Sequence, residues 1–200
     1  MKKTLSALLL CIAGMLFPVN TYADDVAPAD FTGHTWYEYR EDIPDATGTM
    51  TDPFIISTPG QLAQLAYNVN TGAMTYKDKV VALAADIDLN RTEDGQRVQW
   101  IPIGYDIIHC FEGLFLGMDL KDYVANGFKV EQKHKISGLY INVSSASTVK
   151  RFGLFGCLGG NVSHLQLENV SINVDLSALN VAEYYFVGGL YGNTFDENNN

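Results

Sequence analysis

The sequence predicts an all-β chain with one short capping helix, folded as a parallel β-helix, a solenoid of stacked coils. Three observations predict it. Short runs of alternating apolar residues recur along the second half of the chain, as in Val162-Ser163-His164-Leu165-Gln166-Leu167. Glycine-aromatic corners recur between those runs: Phe111-Glu112-Gly113-Leu114-Phe115, Gly153-Leu154-Phe155-Gly156 and Gly189-Leu190-Tyr191-Gly192. Only one stretch carries apolar residues at helical spacing. Repeats whose units cannot bury a core alone stack on their neighbours. Glycine serves corners where φ is positive or backbones approach closely.

Taken in order, the first element is a leader. Lys2 and Lys3 precede an apolar run from Leu5 to Val19, and Thr21-Tyr22-Ala23 supplies the small residues of a cleavage site. Residues 1–23 therefore read as a Sec-type secretory signal, with cleavage expected after Ala23 and the protein placed outside the cytoplasm or on the cell surface. The run is too short for a bilayer span of about 20 residues. Cys11 lies too early, behind the bulky Leu10, for a lipidation site.

Residues 24–50 form an acidic segment, in which His34 to Tyr39 reads as a short edge strand and Glu41 to Met50 as a loop. Residues 51–78 form a strand-helix cap. Phe54-Ile55-Ile56 is the strand. Thr58-Pro59-Gly60-Gln61 starts the helix: Thr58 accepts from an early N–H, Pro59 fits the first turn, and Gln61 closes a capping box. Leu62, Leu65, Ala66 and Val69 make one apolar face, which is expected to close the open N-terminal end of the coils.

Residues 79–200 are expected to be the coils. In Lys79 to Leu89, Leu83, Ala85, Ile87 and Leu89 point one way and Asp86 and Asp88 the other. Trp100-Ile101-Pro102-Ile103-Gly104 reads as an edge, because of its proline. Ile136 to Ile141 lines up with Val162 to Leu167, and the corner at Gly156 with that at Gly192. The strand that should follow Gly192 is missing, so the chain is expected to continue beyond Asn200. The open C-terminal coil is then expected to self-associate through its strand edge.

The whole chain carries 13 basic and 23 acidic residues, a net charge of −10. Loss of Lys2 and Lys3 with the leader makes the remainder more acidic still. This argues against nucleic acid and anionic membrane surfaces as partners. Beyond the leader only Cys110 and Cys157 remain. Either they bridge, which export permits, or each is a small buried apolar residue.

Candidate chemistry is sparse. His34, His109, His134 and His164 lack the His-Glu-x-x-His spacing of a metallopeptidase. The glycines at 156, 159 and 160 lack the Gly-Lys-Ser/Thr ending of a phosphate loop. No Gly-x-Ser-x-Gly elbow is present. His109 and Cys110 are adjacent, so on a strand they face opposite ways and cannot act as base and nucleophile. No catalytic residue and no cofactor is therefore assigned. Asp86 and Asp88 share one strand face, within reach of a Ca²⁺ ion or a sugar ring. The simpler reading is a solvated face or a turn brace, since calcium takes 6–8 oxygen ligands. Tyr184, Tyr185 and Tyr191 either stack on sugars or pack against the coils. Asn142, Asn161 and Asn169 each begin an Asn-x-Ser triplet, which the repeat itself explains as turn and strand starts.

The two Gly-Leu-aromatic-Gly corners resemble the GLUG motif of secreted and surface proteins of gut bacteria. The lead-in is similar too, in order: Asp52 to Ile56, Gln61 to Ala66, Ala85 to Leu89, Trp100 to Gly104 and Ile136 to Leu139. The resemblance covers about residues 45 to 192. It implies a right-handed β-helix at the cell surface, in company with adhesin-like proteins and some immunoglobulin-cleaving metallopeptidases, and it supplies no catalytic residues. Two function classes follow. One is a non-enzymatic surface protein, acting in adhesion or in binding host glycans or surface proteins. The other is a carbohydrate-active enzyme, or a piece of one, resting on Asp86 and Asp88 and on analogy of fold.

Overall fold

A computed structural model of the chain describes residues 28, 31–120, 125, 133–144, 149–175 and 184–194. The expected leader, residues 1–23, lies outside them, as does the polar end 195–200.

The expected β-helix is not what the structure shows. Among the described residues no solenoid is detected. Across those same described residues, fifteen strands of two to five residues fall into six separate small sheets, one of them antiparallel, beside the α-helix Pro59–Asn70 and a 3-10 helix. In order the strands are β1 (Phe54–Ile56), β2 (Val80–Leu83), β3 (Ile87–Asp88), β4 (Thr92–Glu93), β5 (Gln96–Arg97), β6 (Leu114–Leu116), β7 (Lys135–Ser137), β8 (Tyr140–Ser144), β9 (Arg151–Phe152), β10 (Phe155–Leu158), β11 (Asn161–Ser163), β12 (Gln166–Glu168), β13 (Ser171–Asp175), β14 (Phe186–Val187) and β15 (Tyr191–Thr194). The largest sheet runs β1-β2-β6-β11 and the next β12-β7-β3. Four pairs complete the set: β13-β8, β14-β9, β10-β15 and the antiparallel hairpin β4-β5.

The physical reason for the correction lies in the intervals between paired strands. Phe54 pairs with Val81, Val81 with Phe115, and Phe115 with Val162, so each step along this sheet is longer than the last. A repeat with a fixed unit does not produce that. One sequence alignment survives as a pairing: Phe155 lies beside Tyr191, so the two Gly-Leu-aromatic-Gly corners are neighbours. The other was in the wrong register. Ile136 pairs with Leu167 and Ile141 with Ile172, while Val162 pairs with Phe115.

Helix α1 spans Pro59–Asn70. The Thr58 side chain accepts from Gln61 N at 3.1 Å, and Gln61 Oε1 reaches back one residue further than the usual box, to Ser57 N at 2.8 Å. Leu62, Leu65, Ala66 and Val69 are fully buried in the main core. The helix packs against the segment read from sequence as an edge strand, which is a 3-10 helix, Trp36–Tyr39. Glu38 explains the difference: its carboxylate accepts from Thr35 N at 2.8 Å and closes a turn, while Trp36 and Tyr37 drive into the core. Tyr37 meets Tyr67 edge to face, with centroids 5.6 Å apart.

Lys79 to Leu89 is not one strand. A bend at Ala84 and Ala85 splits it into β2 and β3, which pair with different partners. Leu83, Ile87 and Leu89 are buried as expected, but Val81 and Ala82 are buried as well, because β2 is covered on both faces. Trp100 to Gly104 is buried backbone with a single bridge, Ile103 to Phe155, and Trp100 Nε1 donates to Leu154 O at 3.0 Å. The core is aromatic at its centre, where Phe111, Phe115 and Phe155 pack with centroids 5.4 to 6.2 Å apart.

Candidate functional site

The outward face of sheet β12-β7-β3 collects the polar side chains of three distant segments. Register places Asp88 beside Ser137 and Ser137 beside Glu168, with Lys135 beside Gln166 in the next column. Alternation in each strand forces this, since Ile87, Ile136 and Leu167 point inward.

Asp86 and Asp88 are both exposed. Asp86 Oδ1 accepts from Lys135 N at 3.1 Å and lies 3.2 Å from His134 Nδ1. The Lys135 backbone N–H, with His134 adding to it, holds the Asp86 carboxyl below the usual range. Asp88 Oδ1 accepts from Asn90 N at 2.9 Å and from the Ser137 hydroxyl at 3.3 Å. Each carboxylate thus braces backbone or side chain next to it through Oδ1. Beside them Lys135 Nζ pairs with Glu168 at 3.1 Å, which raises the lysine above its ordinary value. Gln166 Nε2 donates to Glu168 Oε1 at 2.8 Å. A face of this kind can exchange hydrogen bonds with hydroxyl-rich ligands.

The three tyrosines do not join the acids. They sit at β14 and β15, which pair with β9 and β10, whereas the acids flank β3 and its partner β7. Tyr184 is 82% exposed and Tyr191 45% exposed, with Val187 exposed between them. Tyr185 differs: it is half-buried and packs against the core.

The histidines are scattered, each on its own partner. His34 contacts Glu38 and Asp94, His109 contacts Asp106, His134 contacts Asp86, and His164 Nδ1 lies 2.7 Å from the Ser163 hydroxyl. Among the described residues no group of three or more His, Cys, Asp or Glu side chains is placed to hold a metal ion. The two cysteines are joined: Cys110 and Cys157 form a disulfide with Cα atoms 4.7 Å apart. His109 therefore has no thiol beside it.

Two features escaped the sequence reading. The turn 105–109 carries Ile107 and Ile108 at 56% and 79% exposure. Asp106 braces this turn by accepting from Ile108 N, His109 N and the His109 ring, and the disulfide anchors its end. The signal was a pair of isoleucines between Asp106 and His109, outside any alternating run. The second is a largely apolar groove of about 520 Å³ bounded by Met50, Pro53, Ile55 and Leu120 together with Asp52 and Asp119. It has no sequence signature, because its walls come from separate segments.

No family model, no curated protein and no solved structure matches the chain. Among the described residues no helix is long and apolar enough to cross a membrane.

Proposed function

We propose that the chain is an exported bacterial protein that acts by binding, in adhesion or in capture of host glycans or surface proteins, without catalysis of its own. The observation that carries the binding reading is the exposure of three large apolar or aromatic side chains, Tyr184, Val187 and Tyr191, at or next to β14 and β15. Tyrosine presents a flat apolar face with a polar tip, which suits both sugar rings and protein surfaces. The Cys110–Cys157 disulfide supports placement outside the cytoplasm, since such bonds persist in oxidising compartments. The leader-like residues 1–23 and the GLUG-like corners support the same placement. The strand edges of β11 to β15 also support self-association.

The test is a glycan array and a host-protein array, run beside a reducing-sugar assay on the same polysaccharides. Binding without sugar release, weakened at least tenfold by Tyr184→Ala with Tyr191→Ala, is expected. Release of reducing ends would overturn the reading in favour of a polysaccharide-degrading enzyme.

A further inference from the structure

Two exposed-side arginines have a use for their guanidinium groups within the chain. Arg91 pairs with Glu93 at 2.9 Å, and Arg97 donates to Gly138 O at 3.2 Å. Arg151 does neither. Its Nε is buried with no hydrogen-bond partner, and among the described residues no ion pair reaches the rest of its guanidinium. Burial pulls Arg151 below the ordinary guanidinium value, and the charge of Asp106 pulls it back up. Asp106 itself is committed to its own turn: its Oδ1 accepts from Ile108 N and His109 N, and its Oδ2 lies 2.9 Å from His109 Nδ1. A guanidinium has only donors and stays charged in a protein. A buried N–H without an acceptor costs stability and calls for an explanation.

The surroundings of Arg151 say what kind of acceptor fits. Arg151 opens β9, and the next residue, Phe152, is fully buried, so alternation turns Arg151 outward. Its register partner in β14 is Phe186, and the guanidinium carbon lies 5.5 Å from the centre of the Phe186 ring. That contact steadies the planar fork and uses none of its N–H edges. Tyr184 stands two residues before Phe186. Tyr185 between them packs on the core, which leaves the exposed Tyr184 ring on the outward side with Arg151.

We infer that Arg151 holds the carboxylate of an acidic sugar, a hexuronic or sialic acid residue of a glycan, with Tyr184 against the sugar ring. A guanidinium gives a carboxylate two parallel N–H bonds, a match that a neutral hydroxyl cannot make. A pyranose acid has an apolar ring face and one anionic edge, which suits an aromatic ring beside a charged fork. A lone Asp or Glu side chain of a partner protein would meet the fork but leave Tyr184 nothing to lie against. The chain is acidic overall, with a net charge of −10, so selection falls to the fork at contact distance rather than to long-range attraction. The inference rests on the glycan-binding reading above, and names the sugar class and the residue that selects it.

Isothermal titration of the full chain tests it, with two pairs of probes. One pair is an oligouronate and its carboxyl-reduced counterpart; the other is a sialylated glycan and its desialylated counterpart. The pairs tell the two acids apart. At least one acidic probe should bind tenfold or more tighter than its neutral counterpart. Arg151→Met should remove that preference without lowering the Tm of the unliganded protein, because methionine fills the space without a buried donor. Arg151→Lys keeps the charge but lacks the fork, and should bind the acidic probe at least threefold more weakly than the parent. Equal binding of acidic and neutral probes, or a preference that survives Arg151→Met, overturns this inference and leaves the binding reading standing. Arg151-dependent binding of a host protein with no acidic glycan bound assigns the fork to a protein carboxylate and also overturns it. No binding of any glycan or host protein overturns both. Should Arg151→Met not fold, the comparison of parent with Arg151→Lys decides.

Discussion

The Cys110–Cys157 bond closes a loop across a sequence separation of 47 residues. In the chain-entropy account, a loop of that length removes about 4 kcal/mol of freedom from the unfolded chain. Cys110→Ala with Cys157→Ala is the clean perturbation, since a serine hydroxyl at position 157 would be buried without a partner. For a chain of this size about 1 kcal/mol corresponds to roughly 2–4 °C in Tm, so the pair of substitutions should lower Tm by about 8–16 °C. Thermal melts followed by circular dichroism, with and without a strong reductant, provide the assay. Reductant should shift the unaltered protein toward the variant and leave the variant where it is. The local consequence is separable: the turn 105–109 should gain amide exchange, because Gly104 lies against Cys157 O and the bond anchors the far side at Cys110. A Tm change under about 2 °C would refute the argument, and would mean that Asp106 and the surrounding core already hold the turn.

Other substitutions test the packing. Asn70 is buried and fully used: its Nδ2 donates to Tyr37 Oη at 2.6 Å and Pro102 O at 2.9 Å, and its Oδ1 accepts from Gly104 N and Tyr105 N. Asn70→Ala should cost about 2–4 kcal/mol in urea unfolding, because several buried partners lose their bonds at once. Gly156→Ala would place a methyl carbon 2.5 Å from Gly104 O, backbone against backbone, and should destabilise by at least about 2 kcal/mol or prevent folding; a melt within 1 °C of the parent would sink the close-approach reading. His34 lies between Glu38 at 2.7 Å and Asp94 at 3.4 Å, and the Glu38 bond above all raises its pKa. A raised folded value means that its stabilisation is full below about pH 6.5 and fades as pH rises through the folded pKa. An NMR titration of His34 should therefore show a midpoint that falls in Glu38→Gln; an unmoved midpoint would remove Glu38 as the cause.

The α1 helix was legible because its signals are local. Thr58, Pro59 and the spacing of Leu62, Leu65, Ala66 and Val69 act within one helix, and no distant partner is needed to read them. The inward positions Leu83, Ile87 and Leu89 were legible for the same reason, since alternation is written into neighbouring residues. The 3-10 helix at Trp36 was not, because three aromatics and a Glu fit a strand equally well until the core claims Trp36 and Tyr37. Strand register was not legible either. Ile136 to Ile141 resembles both Val162 to Leu167 and the later run through Ile172, and only the packed layers choose between them.

The candidate site divides the same way. That Asp86 and Asp88 would lie outward followed from the alternation around Ile87. That Asp86 would bind Lys135 N and Asp88 the Ser137 hydroxyl depended on the pairing of β3 with β7, which joins segments far apart in the chain. The tyrosines were visible as residue types, but their exposure was not: Tyr185 turns to the core and Tyr184 away from it. The sequence by itself determined which residues are apolar and at what local period, the helix and its cap, and the acidity of the chain. Tertiary structure alone decided that Cys110 meets Cys157 and that the strands of the described residues divide into six small sheets rather than one repeating coil. Those outcomes are long-range: they depend on which segments share a layer, and an alternating pattern is the same whichever neighbour it finds.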